Sequence, residues 1–108
     1  MKHRPQRVSS LIERELSAII MRELEFENCL VTITGVEVNN KLERAIVKFS
    51  VYPSEKLKGV SAILNKSRGR LQFLLGRKIN IMPMPRIEFH EDKGLEEAAK
   101  VEKALMNK

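Results

Sequence analysis

Eight lysines and arginines stand between positions 56 and 86 without one acid among them: Lys56, Lys58, Lys66, Arg68, Arg70, Arg77, Lys78 and Arg86. Positive charge left unneutralised by its sequence neighbours attracts a polyanion, and RNA is the polyanion this run suits best. At its centre lies Ser67-Arg68-Gly69, a small-residue break between two apolar-periodic segments. Such a break predicts a new helix N-terminus, whose unpaired N–H groups and partial positive charge receive phosphate. Gly69 leaves the backbone open to a close approach. Lys66 and Arg70 are four apart and Arg77 lies seven further on, so on a helix the three share a face opposite Leu71, Leu74 and Leu75. Lys66, Arg68, Arg70, Arg77, Lys78 and Arg86 are therefore the candidate phosphate contacts, and Arg4 and Arg7 can widen the footprint. Two plainer readings fit the same residues. A basic face can be merely solvated, and Gly69 can simply let two helices cross while Ser67 only caps.

Charge is unevenly spread. Residues 1–54 hold eight basic and seven acidic groups, residues 55–108 twelve and seven, matching the net +6. The binding surface is expected mainly in the second half. Only five aromatic residues occur, Phe26, Phe49, Tyr52, Phe73 and Phe89. That is thin for reading bases by stacking and favours phosphate and shape recognition.

Catalysis finds little support. No serine, histidine and acid pattern suggests a triad, and no Gly-rich loop carries a Walker lysine. His90 sits beside Glu91 and Asp92 at a strand end, where a solvated loop accounts for it. Cys29 is the single cysteine, so no internal disulfide is possible, and with His3 and His90 it makes no structural zinc site. It reads as a small hydrophobe at the start of a strand. No cofactor or metal is called for. No stretch approaches the roughly 18 apolar residues that cross a bilayer. The opening Met-Lys-His-Arg-Pro-Gln-Arg lacks the apolar core of a secretory signal, which makes the cytoplasm the expected location.

The elements that must position these side chains follow from apolar spacing. Pro5 suits a first helical position. Val8, Leu11, Ile12, Leu16, Ile19, Ile20 and Leu24 then recur at threes and fours, predicting a helix over about residues 5–26. It packs on the core or, as an alternative, pairs in a coiled coil. Val31 and Ile33 begin a strand whose phase slips after Gly35 onto Val36 and Val38, as at a β-bulge. Asn39-Asn40-Lys41 reads as a hairpin turn. Ala45, Val47, Phe49 and Val51 alternate with Ile46, Lys48, Ser50 and Tyr52 in a second strand that Pro53 ends. Leu57, Val60, Ile63 and Leu64 make one helix; Leu71, Leu74 and Leu75 make another, capped by Ser67 and stopped by Gly76. Ile79, Ile81, Ile87 and Phe89 share odd parity in a third strand, with Pro83 and Pro85 marking it as an edge or irregular in its middle. Leu95 to Met106 is amphipathic, with Asp92 as its cap. One domain over residues 1–108 is expected, an α+β fold. Its small mixed sheet has a parallel return of the third strand and helices on one face.

This element order resembles the type II KH domain. The GxxG loop usual there is missing, but the ribosome-binding factor A family has a shorter Ala-x-Gly at that place, and Ser67-Arg68-Gly69 looks like a variant with serine for alanine. Arg4-Pro5-Gln6-Arg7-Val8 and the run from Leu30 to Val38 are similar to that family. So are the strand from Ala45 to Val51, Pro85-Arg86-Ile87-Glu88-Phe89 and the acidic Asp92. The resemblance covers nearly the whole chain. It implies a KH type II-like fold with a kink between its two central helices. It also implies a non-catalytic assembly factor of the bacterial small ribosomal subunit that acts in late rRNA maturation and matters most in the cold. The implied partners are the small subunit and its rRNA, with no membrane and no small-molecule substrate, and the chain is expected to be a monomer. Two alternatives stay open: a protein-interaction module for an acidic partner, and a general KH-like RNA binder without a ribosomal role.

Overall fold

A computed structural model describes residues 4–93. Helix α1 (Pro5–Glu23) begins where the fixed φ of Pro5 fits the first turn. Val8, Ile12, Leu16, Ile19 and Ile20 are all buried, as their spacing requires. The helix stops at Glu23, before the expected residue 26, because Leu24 turns extended and Asn28 takes a left-handed φ of 55°.

Strands β1 (Leu30–Val38) and β2 (Arg44–Tyr52) pair antiparallel, with a register shift between Ile33 and Gly35. The phase slip in the sequence is this bulge, and Thr34 is its extra residue. The connecting turn is the expected hairpin led by Asn39, but no asparagine takes its left-handed position. The Asn39 side-chain carbonyl accepts from the N–H groups of Glu43 and Arg44 at 2.8 and 2.9 Å, while the left-handed position falls on Leu42, φ 58°. Leu42 is half-buried against the core. That packing offsets a conformation in which a bulky side chain is uncommon.

The larger departure is helix α2 (Leu57–Lys78). It is one helix of 22 residues, running through Ser67-Arg68-Gly69 and past Gly76. The expected break between two helices, the Ser67 cap and the Gly76 stop are all overturned. The reason is tertiary. Gly59, Gly69 and Gly76 cost about 1 kcal/mol each in a helix interior. Burying Val60, Leu64, Leu71 and Leu75 along one continuous stripe is worth about 1.5–3 kcal/mol apiece. Burial wins, and Ser67 and Arg68, half-buried, fill the gap in the stripe between Leu64 and Leu71.

Strand β3 (Arg86–Glu91) returns parallel to β2, giving the order β1-β2-β3 and a mixed sheet. It is an edge strand, as the prolines implied, but shorter than the parity suggested. Ile79 and Ile81 are buried yet lie in the irregular connection from α2. Both helices pack on one side of the sheet, and Ile12, Leu16, Phe49, Leu64, Leu71, Leu75 and Ile87 are fully buried between them. Phe89 meets Phe49 edge to face at 6.4 Å. His3 and the amphipathic segment from Leu95 to Met106 lie outside the described residues.

Candidate nucleic-acid interface

The fold divides the candidate cations among four places. Arg68 and Arg86 line one groove of about 530 Å³, where α2 runs beside the edge strand β3. Lys66, Arg70 and Arg77 stand exposed on the outward face of α2, away from buried Leu71 and Leu75. Lys78 is exposed in the last turn of α2, where it and Arg77 also offset the partial negative charge of the helix end. Arg4 and Arg7 are exposed at the start of α1. Along a helix rising 1.5 Å per residue, Arg7 lies roughly 24 Å from Glu23, the residue of α1 that Arg70 meets.

Phosphate cannot be received here by the backbone, as the sequence had suggested. With α2 continuous through Gly69, the N–H groups near the glycine are used inside the helix, and no new N-terminus opens. Cationic side chains remain as the candidate phosphate contacts. Of the eight named, only Arg70 has a carboxylate partner among the described residues: its Nη2 donates to Glu23 Oε1 at 2.7 Å. The Arg70 bond first, and Arg22 second, hold the Glu23 carboxyl below its usual value.

The groove has residues that charge counting missed. Asn65 comes from α2, Arg44, Glu88 and His90 from the strands, and Glu43 from the turn before β2. Arg44 and Arg86 are register partners on the parallel strands, so two guanidinium groups start side by side. Glu88 takes Arg44 out of competition with a bidentate pair, Nε–Oε2 2.6 Å and Nη2–Oε1 2.9 Å. That bond is the main reason the Glu88 carboxyl falls to about 2, with a smaller part from His90 at 3.6 Å. Arg44 is raised in return. The open sheet face is neutralised in the same way by Lys48 and Glu37 at 2.9 Å. Arg68 and Arg86 are thus the cations left available inside the groove. Register could not be read from the sequence, and only the odd–even parity of β2 hinted that Arg44 and Lys48 share the outer face.

One further side chain shapes this groove. Gln72 Nε2 donates to the carbonyl of Pro85 and its Oε1 accepts from the N–H of Ile87, both at 2.8 Å. This fastens the start of β3 to α2 and sets the distance between the groove walls.

Comparison with known proteins agrees with this architecture. The family model described as ribosome-binding factor A matches residues 4–105. The chain is 36% identical over 110 residues to the ribosome-binding factor A of Pseudomonas paraeruginosa, covering 94% of this chain and 86% of that one. The crystal structure of ribosome-binding factor A from Thermus thermophilus superposes with a TM-score of 0.72 at 22% identity, covering 82% of this chain and 97% of that one. Homology-model coordinates of the Thermus factor, fitted into a cryo-EM map of its complex with the 30S subunit, give a TM-score of 0.67 at 24% identity, covering 78% and 90%. The fold is therefore shared with those structures, and a match along most of its length shows that the chain belongs to the ribosome-binding factor A family.

Proposed function

We propose that this chain is a non-catalytic RNA-binding factor that docks on the immature small ribosomal subunit and assists late rRNA maturation, with its greatest importance in the cold. The observation that carries the reading is the set of cations left without carboxylates. Lys66, Arg68, Arg77, Lys78 and Arg86 line α2 and the start of β3 and have no acid partner among the described residues. Family membership supports the ribosomal setting, since the Thermus relative is described in complex with the 30S subunit. A single domain acting as a monomer in the cytoplasm suits this role.

The non-catalytic reading is supported by the relatives, which are named as binding factors. His90, the one described histidine, lies exposed beside Glu88.

Co-sedimentation with purified small subunits tests the proposal. The triple variant K66E/R68E/R86E should lose association while keeping the parent's thermal midpoint, and ribonuclease treatment of the subunit should release the parent. Equal sedimentation of variant and parent would reject the reading. Binding that survives ribonuclease would favour an acidic protein partner instead.

A further inference from the structure

Phe73 is 62% exposed on the outward face of α2, in the middle of the cations. Lys66 lies two helical turns before it, Arg70 one turn before and Arg77 one turn after. The Arg77 guanidinium carbon sits 5.9 Å from the ring centroid, a cation–π contact. The positions flanking the ring on its other side, four before and three after, are Gly69 and Gly76. A Cβ built at either glycine meets nothing within 4 Å. The ring therefore has a cation against it and bare helix backbone beside it.

We infer that Phe73 is a stacking platform for one unpaired nucleobase, with Lys66 and Arg77 holding the phosphates on either side of it. This rests on the reading that the chain binds RNA, and adds to it a contact with a base. A planar base needs an exposed aromatic face and an open flank, and the attached backbone needs positive charge nearby. Phe73 has all of these. Tyr52, 76% exposed, has the ring but not the charge, since its cleft is shared with Glu91 and Asp92. Gly69 has no packing role of its own, since its Cβ position faces open space; any larger side chain there narrows the flank a base would enter.

The test uses the full chain, a ten-nucleotide oligoadenylate and inorganic polyphosphate of matched charge. F73L keeps an apolar side chain on the helix but removes the ring. It should weaken oligoadenylate binding roughly 5- to 150-fold, the usual effect of losing one stacked base, with the salt slope unchanged. Polyphosphate binding should not move. The chain contains no tryptophan, so F73W supplies a single tryptophan at the platform, excited at a wavelength that Tyr52 does not absorb. Oligoadenylate should quench it and polyphosphate should not. Oligoadenylate affinity of F73L within twofold of the parent overturns the inference and leaves RNA binding standing. Absence of quenching in F73W, or equal quenching by polyphosphate, does the same. Failure of the parent to bind oligoadenylate at low salt overturns both readings.

Discussion

Gln72 completes a rung of the sheet that no strand supplies to Ile87. Its amide donates to the carbonyl before that residue's neighbour Arg86 and accepts from the Ile87 N–H, as a fourth strand would. The pair is half-buried, so removing the amide leaves backbone groups without a partner. Q72A should cost about 1–3 kcal/mol, chiefly through the orphaned N–H. The urea midpoint measures the loss, and amide exchange at Ile87 should quicken more than at Ala45 in β2. Unchanged exchange at Ile87 would mean that β3 is held without Gln72.

Glu23 restrains Arg70 and so subtracts from the basic face. The pair is exposed on the arginine side, where ion pairs are screened and contribute little to stability. E23Q should leave the thermal midpoint nearly unchanged and free Arg70 for phosphate. For a single strand, one added phosphate contact steepens the log–log salt slope by about 0.7. A slope equal to the parent's would show that Arg70 points away from the RNA.

Glu88 gives the fold an acid-sensitive element. Its carboxyl drops from an ordinary 4.5 to about 2, mainly because Arg44 binds the ionised form. A folded value below the unfolded one stabilises at pH above 4.5. That stabilisation drains away as pH falls from 4.5 toward 2. Between pH 6 and pH 3 the parent should lose more stability than E88Q, whose amide does not titrate. Parallel losses in urea midpoints at the two pH values would remove Glu88 as the cause.

Gly69 sits in an ordinary helical conformation with free space at its Cβ position. G69A should therefore stabilise the protein by about 0.5–1 kcal/mol. Thermal or urea unfolding checks this. Destabilisation would mean that the helix opens at this point in solution.

The strand that puts Ala45, Val47 and Phe49 on one face was legible because a period of two survives any packing. The bulge at Gly35 and the parallel return of β3 were legible for similar reasons: a phase slip, and a connection too long for a hairpin. The unbroken α2 was not. Three glycines and Ser67 argue locally for a break, and only the burial of Leu64 and Leu71 against the sheet overrides them. The extended Ile79 and Ile81 look like strand because burial, not pairing, fixed their types. In the candidate interface the basic run was visible, whereas its partition was not. Arg70 meets a glutamate 47 positions away, and Arg44 meets Glu88 through a register that only the folded sheet defines. Phe73 was counted among too few aromatics, because composition does not tell an exposed ring from a buried one.

The bulge at Thr34 has a consequence for crowded solutions. β1 is the other rim of the sheet, and Leu30 to Val38 carries one charge, Glu37, and no proline. A straight rim of that kind invites neighbouring molecules to add themselves strand by strand. The extra residue bends the rim out of regular spacing, and its hydroxyl is tied to Asp92 at 2.6 Å. Deleting Thr34 would straighten the rim, and the harm would come as fibrillar precipitation in concentrated samples.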